Sequence, residues 1–132
     1  MSSGTQNRPV VNSAAILCID DEPDAIKIRK LLLESEGYRV FDATTGEEGL
    51  RLFQAHKIDA VVVDYWMSGM NGLAVAREIK KLSPTTPIIM LSGFSELPGE
   101  AVGIADRWIL KGRSAQDLLN AISTLTHGQS QD

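Results

Sequence analysis

The stretch that decides the fold is ILCIDDEPD, residues 16–24, in which four apolar residues lead directly into a group of acidic residues around one proline. A short apolar run without polar alternation predicts a strand that is buried on both faces. Pro23 suits the first turn of a helix, where the backbone N–H that proline lacks would have no partner. We therefore expect a buried strand, an acidic loop and then a helix.

Apolar runs of this kind recur along the chain, and longer segments with helical spacing lie between them. The predicted strands are residues 14–19, 38–41, 60–63, 87–91 and 108–110. Strict alternation of strands and helices is typical of parallel strands that are covered by helices on both faces. We expect an α/β fold with a doubly wound, five-stranded parallel sheet in a three-layer sandwich.

Signals for helix ends delimit the segments between these strands. The first helix is expected to open at Pro23 and to close at Gly37, because glycine commonly ends helices. The second begins with a capping box at Thr45, and the third covers residues 73–82. Residues 96–105 include one proline and two glycines, so the fourth helix is expected to be short or irregular.

The last helix is expected to begin at Ser114. Leu118, Ile122 and Leu125 then recur at positions i, i+4 and i+7, which predicts one apolar stripe against the sheet. The predicted organisation is a disordered tail at 1–12, one domain at 13–126 and a disordered tail at 127–132.

Composition restricts the class of protein. The 132 residues are 43% hydrophobic and 23% charged, which suits one globular domain. A net charge of -4 without a basic cluster disfavours direct nucleic-acid binding, and no apolar stretch is long enough for a signal peptide or a membrane span. The single cysteine, Cys18, has no possible partner within the chain, which favours a reducing, cytoplasmic location.

Polar side chains follow four of the five predicted strands. They are Asp20 and Asp21, Asp64, Ser92 and Lys111. Because parallel strands in doubly wound sheets present their carboxyl ends at one edge, we expect these side chains to converge there. Two carboxylates at 4 Å repel by about 4 kcal/mol at a dielectric constant of 20, so a cation should sit among them. Hard oxygen ligands favour Mg²⁺.

Each of these residues also has a purely structural interpretation when it is considered alone. The acids before Pro23 would favour a helix N-terminus, Asp64 would cap a loop, and Ser92 and Lys111 would be ordinary loop residues. Their occurrence at the same edge of the same sheet favours a functional site instead.

With these motifs the chain resembles the receiver domain of two-component response regulators over about residues 14–126. The resemblance rests on four segments, CIDDEPD (18–24), VVVDYWMSGMNGL (61–73), IIMLSGF (88–94) and DRWILKG (106–112). It implies a (βα)5, flavodoxin-like fold and a phosphoaccepting signalling domain that is not an enzyme in the ordinary sense.

The resemblance also implies roles for the acidic residues. Asp64 would accept a phosphoryl group from the phosphohistidine of a histidine kinase or phosphotransfer protein. Asp21 and Asp64 would bind Mg²⁺ together with the backbone carbonyl of Trp66, and Asp20 would reach the metal mainly through water.

The remaining site residues would sense the phosphoryl group. Ser92 and Lys111 would each bind one of its oxygens, and Trp108 would be the switch aromatic. Movement of Ser92 and Trp108 would change a surface that a downstream protein target binds.

Two positions depart from the family pattern, which usually has proline where this chain has Ser68 and Gly112. A cis peptide bond before glycine costs about 2.5–4 kcal/mol, so we expect a trans bond between Lys111 and Gly112.

Two other functions remain open at this stage. One is an interaction module of the same fold that works without phosphorylation. The other is a Mg²⁺-dependent aspartyl phosphohydrolase of the haloacid dehalogenase type, whose nucleophile would be Asp20. Whether the domain stands alone or was excised from a longer protein also stays open.

Overall fold

The computed structural model describes residues 13–93, 103–112 and 115–130, with side chains described as far as residue 126. Five strands and four helices lie in these ranges. In chain order they are β1 (Ala15–Ile19), α1 (Pro23–Ser35), β2 (Arg39–Ala43), α2 (Gly46–Ala55), β3 (Ala60–Asp64), α3 (Gly72–Leu82), β4 (Ile88–Ser92), β5 (Arg107–Leu110) and α4 (Ala115–Ser130).

The strands form one parallel sheet in the order β2-β1-β3-β4-β5. The chain moves from β1 outward to β2 and then returns to the other side of β1 with β3. The strand order therefore reverses between β1 and β3, which is where doubly wound sheets form ligand sites. The predicted α/β, doubly wound, flavodoxin-like fold is confirmed.

Helices cover both faces of the sheet, and each face has its own apolar cluster. Alternate residues of β1 divide between the two clusters: Leu17 and Ile19 pack on the face covered by α2 and α3. Ile16 and Cys18 pack on the opposite face, against residues of α1 and α4. The predicted burial of this strand on both faces is confirmed.

Most of the helix ends lie where the sequence predicts them. α1 begins at Pro23, and Gly37 follows its last turn with φ of +95°, a conformation that favours glycine. α2 begins after Thr45, whose hydroxyl accepts a hydrogen bond from the Glu48 backbone N–H at 3.1 Å. The predicted start of the last helix at Ser114 lies outside the described residues, as does most of the fourth helix predicted to be irregular at 96–105. The described end of that range, residues 103–105, is not helical.

The last helix carries the predicted apolar stripe. Leu118 and Ile122 are buried and Leu125 packs beside them. The helix continues to Ser130, four residues beyond the predicted domain end at 126, while the division of the chain into a domain and two tails stays a prediction. Among the described helices, none combines the length and apolarity that crossing a membrane requires.

We predict that Ile122→Ala lowers the free energy of unfolding by about 2–5 kcal/mol, because it leaves a cavity between α4 and the sheet. Urea unfolding followed by circular dichroism measures the change. Thr124→Ala on the exposed face of α4 is the control and should stay within about 0.5 kcal/mol of the parent protein. Equal stability of the two variants would contradict the prediction.

Candidate functional site

The carboxylates of Asp20, Asp21 and Asp64 meet at the reversal point of the sheet. Each offers an oxygen atom, and these atoms all lie within 4.8 Å of one another. The arrangement follows from the topology, because Asp20 and Asp21 follow β1 and Asp64 ends the neighbouring strand β3. The predicted convergence of these three side chains therefore occurs.

Asp20 is the most enclosed of the three acids, with no exposed surface. Its Oδ1 accepts a hydrogen bond from the Glu22 backbone N–H at 3.0 Å, which holds the carboxylate in the turn before α1. Its Oδ2 lies 3.3 Å from the guanidinium of Arg29 and 3.6 Å from Nζ of Lys111. Two cationic side chains thus share one oxygen of this buried acid.

Asp21 is held from the opposite side of the site by the loop after β3. Its Oδ2 accepts hydrogen bonds from the backbone N–H of Ser68 at 2.9 Å and from the Ser68 hydroxyl at 3.1 Å. These bonds, the backbone one most strongly, lower the pKa of Asp21. Ser68 stands where the resemblance leads one to expect proline, and a proline could donate neither bond.

Asp64 and Lys111 form the central ion pair. Nζ of Lys111 donates a hydrogen bond to Oδ2 of Asp64 at 3.1 Å. Burial and the neighbouring Asp20 carboxylate raise the pKa of Asp64, although the lysine opposes them. Burial disfavours the charge on Lys111, but its bond to Asp64 and the surrounding carboxylates outweigh burial and raise the Lys111 pKa.

The other predicted site residues lie on or beside neighbouring strands. Ser92 ends β4 and is buried, and its carbonyl accepts a hydrogen bond from the Lys111 backbone N–H at 2.7 Å. Trp108 lies in β5 opposite Met90 and packs against the core. Trp66 follows Asp64 by two residues and is 56% exposed.

Close packing of α3 against the end of β3 positions the backbone of Asp64. A Cβ atom at position 72 would overlap the carbonyl of Asp64, so only glycine fits there. The Gly72 backbone N–H also donates to the carbonyl of Tyr65 at 2.9 Å. The Asn71 side chain caps α3 by accepting from the Ala74 backbone N–H at 2.9 Å.

The chain leaves β5 through a turn at Gly112. No cis peptide bond occurs in the described part of the chain, so the trans bond predicted between Lys111 and Gly112 is confirmed. Gly112 has φ of +91°, which proline cannot adopt because its ring fixes φ near -65°. Glycine therefore permits a turn here that differs from one containing proline.

Sequence reasoning missed three residues that support the site: Arg29, Ser68 as a donor to Asp21, and Asn71. A signal for Arg29 was present, because it stands between Ile26 and Leu33 at positions i, i+3 and i+7 of α1, where an apolar residue is expected on the buried face. The contact of Ser68 with Asp21 joins residues 47 positions apart, and no local pattern predicts such a contact.

The donor set suits a magnesium ion. Hard carboxylate oxygens from three acids converge within the reach of one cation, and Mg²⁺ typically binds through one or two carboxylates while keeping several waters. Asp20, Asp21 and Asp64 would hold the ion, in agreement with the acidic cluster expected from the sequence.

We predict that Gly72→Ala lowers the free energy of unfolding by about 1–3 kcal/mol, because the new methyl group must displace the Asp64 carbonyl. Chemical unfolding measures this loss. Gly93→Ala is the matched control, since a Cβ atom at position 93 meets no heavy atom within 4 Å. If Gly72→Ala were as stable as Gly93→Ala, the backbone contact would not constrain the site.

We predict that Asp64→Asn raises the melting temperature near neutral pH when divalent cations are removed. Because the pKa of Asp64 is higher in the folded protein than in the unfolded chain, ionisation of Asp64 costs stability at neutral pH. This cost disappears as the pH falls toward about 4. Thermal unfolding across this pH range in EDTA measures the difference between variant and parent. Asp42→Asn, which changes an exposed acid near the end of β2, is the control. A melting temperature of Asp64→Asn below that of the parent at neutral pH would contradict the prediction.

Comparison with known proteins agrees with this geometry. The family model described as "Response regulator receiver domain" matches residues 16–123. Among curated proteins, the transcriptional regulatory protein GlrR of Escherichia coli is 40% identical over 85 residues, which is 64% of this chain and 19% of that protein. YvrH of Bacillus subtilis, also a transcriptional regulatory protein, is 39% identical over 76% of this chain and 44% of its own length. The chain thus spans less than half the length of either relative.

Solved structures show the same likeness. The response regulator protein TrrA from Thermotoga maritima, in complex with Mg²⁺ and BeF, has a TM-score of 0.80 and 33% identity, covering 85% of this chain and 98% of that one. A response regulator receiver domain from Clostridium thermocellum has a TM-score of 0.82 and 35% identity, covering 89% and 97%. The match spans nearly the whole fold and the acidic site, and the chain belongs to the response regulator receiver domain family.

Proposed function

We propose that Asp64 accepts a phosphoryl group from the phosphohistidine of a histidine kinase or a phosphotransfer protein. The observation that carries the proposal is the pairing of a nearly buried Asp64 with Lys111 at 3.1 Å, beside two further carboxylates at the reversal point of the sheet. Membership of the receiver family supports it independently. The domain would act as a signalling switch that catalyses only its own phosphorylation and dephosphorylation.

In the proposed reaction an oxygen of Asp64 attacks the phosphorus atom in line with the bond to the donor histidine. The phosphorus–nitrogen bond breaks, its electron pair returns to the imidazole, and the product is an acyl phosphate on Asp64. Such a transfer needs little beyond positioning and positive charge around the phosphoryl oxygens. Lys111 supplies one such charge through its ammonium group, which lies 3.1 Å from Asp64.

A bound Mg²⁺ would supply the remaining positive charge that the phosphoryl oxygens need. Asp20, Asp21 and Asp64, with the backbone carbonyl of Trp66, are the proposed ligands. Ser68 would keep Asp21 oriented toward the site through its two hydrogen bonds.

The acyl phosphate would act as a switch because it replaces one negative charge by roughly two. It should attract Lys111 and the hydroxyl of Ser92 more strongly than the free carboxylate does. Ser92 ends β4 beside β5, the strand of Trp108, so movement of Ser92 is proposed to reach Trp108 and the surface around it. A downstream protein target would bind the altered surface.

The alternative functions find less support in the geometry. A hydrolase of the haloacid dehalogenase type would use Asp20 as its nucleophile, but that carboxylate is fully buried and paired with Arg29. A module that works without phosphate has no need of the converging acids and lysine. A cytoplasmic location fits the single unpaired Cys18 and is part of the proposal.

The test is to incubate the protein with Mg²⁺ and acetyl phosphate, or with phosphoramidate, and to measure its intact mass. We expect one phosphoryl adduct on the parent protein and none on Asp64→Asn. Asp42→Asn is the control, because it removes an acid near the end of β2 without touching the acidic cluster.

Each other result has a defined meaning. An adduct on the parent protein that survives in Asp64→Asn would reject Asp64 as the acceptor. No adduct on any variant would favour the phosphate-independent module. Turnover of phosphate esters that is lost in Asp20→Asn would favour the hydrolase.

A further inference from the structure

Arg29 places a charged side chain within the buried face of α1. Ile26 and Leu33, three residues before and four residues after it, are both buried in the core. The Arg29 side chain is itself only 11% exposed. A guanidinium in such a position needs a partner, because burying an unpaired charge is costly.

The partner of Arg29 is the innermost acid of the site. Nη1 of Arg29 lies 3.3 Å from Oδ2 of Asp20, and Nζ of Lys111 lies 3.6 Å from the same atom. Asp20 also offers an oxygen to the cluster that would hold a divalent cation. Arg29 and the cation would thus both interact with the same buried carboxylate, that of Asp20.

We propose that Arg29 is a built-in counter-ion for Asp20, which stabilises the acidic cluster in the absence of a divalent cation and competes with that cation for the carboxylate. The inference rests on the cation site of the proposed function and adds a positioning residue from α1. Arg29 acts through Asp20 and is not assigned to the reacting atoms.

The charges of the site support this role. Asp20, Asp21 and Asp64 together carry three negative charges, and Lys111 and Arg29 carry two positive charges. The cluster is therefore left with a single net negative charge before a divalent cation arrives.

A groove beside the site could accept the guanidinium of Arg29 when a cation displaces it from Asp20. Arg29 lines this groove together with Lys111, Gly112 and Leu110, between α1 and the turn that leaves β5. A modest rotation of the long side chain would move its charge from Asp20 toward the groove.

The test compares the affinity for Mg²⁺ of four proteins: the parent, Arg29→Met, Arg29→Lys and Lys27→Met. Methionine keeps much of the length of arginine without its charge, and lysine at position 29 keeps the charge. Lys27→Met removes an equal charge from an exposed position of the same helix. Mg²⁺ is titrated while tryptophan fluorescence is followed, and thermal unfolding is measured with and without Mg²⁺.

We expect Arg29→Met to bind Mg²⁺ at least about fivefold more tightly than the parent, because a positive charge beside the cation is gone. Without Mg²⁺ the variant should melt at a lower temperature, and saturating Mg²⁺ should raise its melting temperature more than that of the parent. Arg29→Lys and Lys27→Met should bind Mg²⁺ with nearly the affinity of the parent.

Unchanged or weaker Mg²⁺ binding by Arg29→Met would overturn the inference, because loss of a guanidinium that competes with the cation must strengthen cation binding. If Arg29→Met does not fold without Mg²⁺, Arg29→Gln, with a polar group near Asp20, gives the same comparison. Failure of the parent protein to bind Mg²⁺ would instead count against the proposed function, so the two failures are distinguishable.

Discussion

The mutual repulsion of three carboxylates is the constraint on which the rest of the site depends. The pairing of β1 with β3 brings Asp20, Asp21 and Asp64 together, and this arrangement is stable only where positive charge or hydrogen-bond donors accompany it. Lys111 and Arg29 supply charge from two different elements, and Ser68 supplies donors from a third. The repulsion that remains would be relieved by a divalent cation, as the proposed function requires.

Holding these acids within reach of one ion also requires accurate positioning of the strand ends. At two contacts between a helix and a strand, glycine allows the close approach that this positioning needs. A Cβ atom at Gly72 would overlap the carbonyl of Asp64, and a Cβ atom at Gly49 would overlap the side chain of Ile19, the last residue of β1. The helices α2 and α3 thus approach the ends of the two strands that carry the acids. The geometry of the site therefore depends on the close packing of these helices against the sheet.

The topology explains how much could be predicted from sequence. Asp20, Asp64 and Lys111 follow apolar runs, and parallel strands carry whatever follows them to one edge of the sheet, so local patterns were sufficient for these residues. Arg29 lies in a helix, and its contact depends on how α1 is rotated against the sheet. Ser68 meets Asp21 only because two loops distant in sequence lie side by side. The contacts of Arg29 and Ser68 depend on tertiary packing, which cannot be predicted from a short stretch of sequence.

The departures from the family pattern show where this site tolerates change. Gly112 replaces the usual proline and turns the chain with a positive φ, yet the hydrogen bond from the Lys111 backbone N–H to the Ser92 carbonyl keeps the lysine in register with β4. Ser68 also replaces a proline and gains two hydrogen bonds to Asp21 in exchange. In both cases a residue other than proline stands in the loop while the charged group still reaches the acidic cluster. The electrostatic requirement is therefore stricter than the requirement on loop conformation, because a misplaced charge leaves a buried carboxylate without compensation, whereas a turn can be made in several ways.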